Sequence, residues 1–221
     1  MNNTQILKIM ELLDNNQKQE IKEILTKELL SNSGEKSKAK LLTTIKKFLK
    51  NIDDYRPQLK TIMHKHNKQF ICNGYVMYVF NTYKKELEIL PQTSEEETGL
   101  DYKSILDVSR YELTDLTEDD KFILNNIKKY INYYKSKNKK ELPIISFNNQ
   151  IFNANYLNEF ADIHGNNFNN MKKAVTREFY NPLIITNNEI ESTILPIRPS
   201  ETEKENAIKF LEEFKNEINN I

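Results

Sequence analysis

Glycine is nearly missing, with four in 221 residues. A phosphate-cradling loop needs several glycines in a short run, because the backbone must come close to the anion. No such run exists, which excludes P-loop and dinucleotide-binding chemistry. A Gly-x-Ser-x-Gly nucleophile elbow is absent as well. Cysteine occurs once, at Cys72. One thiol makes no internal disulfide and leaves a thiolate zinc centre without its ligands. No apolar run approaches the roughly 18 residues of a membrane helix. The opening "MNNTQILKIMELLDNNQKQE" has neither the basic nor the apolar segment of a signal peptide. A soluble, cytoplasmic protein is expected, in the host cytoplasm if a phage encodes it.

What is present is enough for a core. Hydrophobic residues make up 38% of the chain and charged residues 29%, and the eleven Tyr and eleven Phe argue against wholesale disorder. The total charge is zero but unevenly spread. Residues 86–120 hold 2 basic against 12 acidic residues, a net of −10. Residues 121–140 hold 7 basic residues and no acidic one, a net of +7. Such blocks form local patches that a polyanion can read.

The periodicity predicts helices over 4–30, broken near Asp14-Asn15-Asn16, and over 36–52, with a loop at 31–37 between them. Residues 1–60 thus form a helical N-terminal arm. Its apolar stripes need a partner surface, either the rest of the chain or another copy. "KQFICNGYVMYVF" predicts two strands about an Asn73-Gly74 turn, and "KKELEILP" a further alternating strand. "QTSEEETG" reads as an acidic loop and "LDYKSIL" as a short ordered segment. Thr117 and Asp120 mark the start of a helix running to about 136, with Ile123, Ile127, Ile131 and Tyr134 inward. Strands are expected at 142–152, 172–180, 182–187 and 190–197, with a helix at 154–163. Ser200 and Glu203 form a capping box for a last helix, 200–221, whose apolar face is Ile208, Leu211, Phe214 and Ile218.

The residues that carry chemistry assemble into no catalytic set. His64, His66 and His164 read as solvated surface histidines. Glu95, Glu96 and Glu97, and Glu118, Asp119 and Asp120, read as a solvated loop and a helix start. Cys72 reads as a buried, inert thiol. No cofactor or metal is expected, and the chain is expected not to be an enzyme. Lys121, Lys128 and Lys135, seven apart, share one helix face, with Lys129 beside it. Such a stripe either follows a phosphate backbone or is a solvated face.

"ELPIISFNNQIFNANYLNEFADI" followed by "NPLIITNNEIESTILPIRP" resembles the last domain of the bacterial sliding clamp, the β subunit of the replicative DNA polymerase. Phe152, Asn153, Tyr156 and Leu157 match the motif that opens its helix. Asn181, Pro182 and Leu183 match a later strand, and Leu195, Pro196, Ile197 and Arg198 match the closing one. The resemblance implies an α+β fold with one clamp-like domain over 68–199, built of two βαβββ halves. It also implies a peptide groove at Asn153, Tyr156, Asn181, Leu195, Pro196, Ile197 and Arg198. Core packing is the other role open to Tyr156, Leu157, Leu195 and Ile197. A clamp chain carries several such domains, and this chain has room for one. A ring would need about six copies.

The expected function is that of a clamp-like, phage-encoded protein in DNA replication. Its expected partners are double-stranded DNA, at Lys121, Lys128, Lys129 and Lys135, replication proteins at the groove, and further copies of itself as a homo-oligomer, with no membrane. The alternative is a phage structural or host-interaction protein that keeps the fold without encircling DNA.

Overall fold

A computed structural model describes residues 3–14, 17–65, 67–94, 97, 99–138, 141–175 and 181–219. The expected break at Asn15-Asn16, His66, Glu95, Glu96 and the 176–180 part of an expected strand lie outside them. Among the described residues there are seven α-helices and ten strands, a mixed α/β protein. The helices are α1 Asn3–Asp14, α2 Lys18–Asn32, α3 Lys36–Lys50, α4 Tyr102–Ile105, α5 Glu118–Lys137, α6 Ala154–Ile163 and α7 Glu201–Asn219. The strands are β1 Ile62–Lys65, β2 Lys68–Cys72, β3 Val76–Phe80, β4 Gln92–Ser94, β5 Leu113–Asp115, β6 Ile144–Phe147, β7 Gln150–Asn153, β8 Lys172–Ala174, β9 Leu183–Thr186 and β10 Ile190–Ile194. None of these helices is long and apolar enough to cross a membrane. The chain divides into two compact units, one of Met1–Asn73 and Thr82–Leu100, the other of Gly74–Asn81 and Asp101–Ile221.

The first unit packs α1 on α2 and α2 on α3. Leu42, Ile45, Phe48 and Leu49 make the buried stripe of α3, and Ile21 and Leu30 that of α2. The connection between α2 and α3 is shorter than the expected 31–37 loop, because α2 runs on to Asn32. The strands of this unit run in the order β4-β1-β2, with β1 antiparallel to β2 and parallel to β4. The strand expected at "KKELEILP" is instead a 3-10 turn, Lys85–Ile89. The Gln69 side chain accepts the Lys84 N–H at 2.7 Å, and the Leu90 N–H turns back to the Leu87 carbonyl. Leu87, Ile89 and Leu90 are all buried, and this spacing fits a tight turn as well as a strand edge.

The second unit holds an antiparallel sheet, β3-β10-β9-β8-β5, and the β6-β7 hairpin. That hairpin turns on Asn148 and Asn149 at φ 50° and 61°. A two-residue turn with both residues at positive φ matches the strand twist, and asparagine tolerates it better than most. Asn153 ends β7 and caps α6, its side chain accepting the Asn155 N–H at 3.0 Å. Leu157, Phe160, Ala161 and Ile163 turn the helix inward. Helix α5 starts at a full capping box between Thr117 and Asp120. Its apolar face of Ile123, Leu124, Ile127, Tyr130, Ile131 and Tyr134 is buried. Packed against α5 are α6 and α7, and α7 also covers β6. At the α7 start, Ser200 N–H donates to Glu203 at 2.8 Å and Glu203 N–H donates to Ser200 Oγ at 3.3 Å. Ala207, Leu211 and Phe214 are the buried residues of α7, whereas Ile208, expected inward, is exposed.

Candidate peptide groove and lysine face

Past β10, Leu195–Pro199 form neither helix nor strand. The Leu195 N–H donates to the Tyr75 carbonyl, and the Ile197 N–H to the Ile151 carbonyl, each at 2.8 Å. The Tyr75 ring stacks on Tyr156 of α6, with centroids 5.9 Å apart and planes at 18°. Tyr75 therefore joins two expected groove residues, Tyr156 through its ring and Leu195 through its backbone. Tyr75 and Leu195 remain 49% and 39% exposed, so this aromatic and aliphatic surface faces water. Such an apolar patch rimmed by polar groups is where a peptide side chain gains most from burial.

The other expected groove residues fall elsewhere. Ile197 and Pro199 line a narrow cleft with Asn149, Gln150 and Ile151, and Glu201 and Lys204 of α7 close one side. The C-terminal helix thus reaches the Ile197 end, while Tyr75 and Leu195 stay open. Asn153 is buried, with its side chain engaged in the α6 cap. Asn181 and Pro196 are half-buried and Arg198 is exposed. Tyr75 was not among the expected groove residues. Its signal is an aromatic placed directly after the Asn73-Gly74 turn, where a side chain has few neighbours to cover it.

Helix α5 presents its lysines opposite its apolar stripe. Lys128, Lys129 and Lys135 are exposed, with Asn125 and Asn132 exposed between them. Lys121 differs: its ammonium sits 2.8 Å from Glu118, and its side chain is half-buried. Acidic groups border this face. Lys215 of α7 is bound to Asp119, and the Tyr133 hydroxyl lies 3.4 Å from Glu213. Burial first, and then the charge of Glu213, push the Tyr133 hydroxyl above its ordinary pKa. Beneath the lysines, Tyr130 meets Phe214 edge-on at 5.4 Å and donates its hydroxyl to the Ile144 carbonyl at 2.6 Å.

Two buried polar pairs complete the unit. Lys173 lies 2.7 Å from Asp120 and 3.1 Å from the Asn148 side chain. This ties the start of α5 to β8 and to the β6-β7 turn, so Asp120 is an anchor as well as a cap. His164, expected on the surface, is buried against Phe160, with Nε2 2.9 Å from Ser192 Oγ. Burial holds its pKa down at about 3, so the ring is neutral. Its Nδ1 has no partner among the described residues, and Ser192 is almost fully buried. The pair therefore lacks both the orienting acid and the substrate access of a nucleophilic centre. His64 is exposed as expected, and Cys72 is buried. Among the described residues no three His, Cys, Asp or Glu side chains converge as a metal site requires.

Compared with known proteins, the chain matches no family model, no curated protein and no solved structure.

Proposed function

We propose that this chain is a non-enzymatic binding module of sliding-clamp type, acting in DNA replication by holding short apolar segments of replication proteins. The observation that carries this reading is the stack of exposed Tyr75 on half-buried Tyr156, beside Leu195. It is built from two residues of the groove that the resemblance implies, plus one that the fold adds. The order β7, α6, β8, β9, β10 also supports it, being the strand-helix-strand-strand-strand run of one clamp half. The stretch before it is abbreviated, with β5, α5 and β6 leading straight into β7. The exposed Lys128, Lys129 and Lys135 add a weaker DNA contact through phosphates.

The test is a titration of labelled peptides from polymerase tails, followed by anisotropy. Leu195→Asp should abolish binding, and Tyr156→Ala should weaken it by roughly tenfold or more. An affinity unchanged in both variants would remove the groove from the function.

A second reading is an interaction protein that keeps the fold and never encircles DNA. The acids beside the lysine face favour it: Glu118 holds Lys121, and Asp119 holds Lys215. Duplex binding that does not respond to salt would select this reading over the first.

A further inference from the structure

We propose that the α1-α2 hairpin is a self-association surface, on which a second copy of this chain docks its own hairpin. Six large aliphatic side chains of this hairpin are between 42% and 68% exposed: Ile6, Leu7, Met10 and Leu13 on α1, Leu25 and Leu29 on α2. At about 100° per residue, the four on α1 fall within about 120° of one another, with buried Leu12 on the other side of that helix. Gln5 near the start of α1 donates to Glu28 near the end of α2 at 3.0 Å, so the helices run antiparallel. Glu23 of α2 pairs with Lys46 of α3, which marks the side that α3 occupies. Leu25 and Leu29 lie more than a quarter turn away from Glu23, off the side that α3 occupies. Both helices of the hairpin therefore leave aliphatic side chains uncovered.

Its size and charge select the occupant. Six such side chains present on the order of several hundred Å² of aliphatic surface, at or above the largest patch of an ordinary monomer. That approaches the roughly 800 Å² that each partner buries in a standard interface. The hairpin carries no excess charge to attract an oppositely charged partner. Helix α1 holds one Lys against two acidic residues, and α2 holds three Lys against three Glu. Two copies therefore meet without net repulsion. The spacing of Ile6, Met10 and Leu13, four then three, is that of a helix-packing seam. Two hairpins placed face to face about a two-fold axis make a four-helix bundle, an isologous contact in which every exposed residue finds a partner.

The experiment is sedimentation equilibrium of the full chain across a wide concentration range, with Met10→Glu, Leu29→Glu and, as a control on a different surface, Leu142→Glu. All three side chains are exposed, so each variant should keep the native circular dichroism. The native chain and Leu142→Glu should associate to a dimer or a multiple of one. Met10→Glu and Leu29→Glu should weaken association by at least a hundredfold. A native chain that stays monomeric throughout overturns the proposal, as does an assembly of unchanged strength in both hairpin variants. This outcome is independent of the groove, because peptide binding is read separately on Tyr156 and Leu195.

Discussion

Lys173 places its ammonium 2.7 Å from the Asp120 carboxylate, with both side chains nearly withdrawn from water. Asp120 also accepts the Thr117 N–H at 2.8 Å and lies 2.7 Å from the Thr117 hydroxyl. One carboxylate thereby serves the α5 cap and the link to β8 together. Removing the lysine leaves that carboxylate buried with only its two Thr117 partners. Lys173→Met should therefore cost about 3 kcal/mol, the scale of a buried pair broken from one side. Urea denaturation measures it, and a loss below about 1 kcal/mol would mean that water replaces the ammonium.

The His164 ring gives stability a defined pH dependence. Its pKa falls from 6.5 to about 3 on folding because burial disfavours the charged ring. The unfolded chain thus binds the extra proton first as pH drops. The contribution is fully present above about pH 6.5 and is lost progressively as pH falls towards about 3. Between pH 7 and pH 5 this one group should remove about 2 kcal/mol. His164→Gln keeps a polar side chain near Ser192 and removes the titration. The difference in unfolding free energy between native and variant protein should shrink by that amount over this pH range. A constant difference would show that His164 titrates alike in both states.

Helix α7 is held by aromatic packing, and two of its residues separate that role from surface. Phe214 is buried and packs edge-on against Tyr130, while Ile208 is exposed. Phe214→Ala should destabilise the second unit by about 3 kcal/mol, and Ile208→Ala by less than about 0.5 kcal/mol. Thermal melts followed by near-ultraviolet circular dichroism of the tyrosines report both. Equal effects would mean that α7 is seated differently.

What the sequence made legible was local chemistry. The Thr117–Asp120 and Ser200–Glu203 caps depend on residues three apart, and both formed at the expected positions. The bounds expected for α6, 154–163, were also met, set by the Asn153 cap at one end and Gly165 at φ 65° at the other. What was not legible depends on residues distant in the chain. "KKELEILP" alternates like a strand, yet Gln69, sixteen residues before Lys85, helps to set it as a turn. His164 looks solvated among asparagines, but Ser192 and Phe160 enclose it. The Lys173–Asp120 pair and the Tyr75–Tyr156 stack join residues that no spacing rule connects. Lysine exposure was half legible, because the seven-residue repeat gave the face but not the capture of Lys121 by Glu118.

That capture makes the lysines of α5 unequal, and the inequality can be measured. A phosphate contact is an ammonium that releases counterions from DNA, so each one steepens the fall of affinity with salt by about one unit on a double-logarithmic plot. Lys128, Lys129 and Lys135 are exposed, and none is in an ion pair among the described residues. Their joint replacement by alanine should reduce the salt slope for duplex DNA by about three. Lys121→Ala should leave the slope nearly unchanged, since that ammonium would first have to leave Glu118. A triple variant with the native slope would remove α5 from DNA binding and leave the groove as the remaining functional surface. A large effect of Lys121→Ala alone would instead mean that DNA displaces Glu118, and that the acidic start of α5 competes with phosphate for the same lysine.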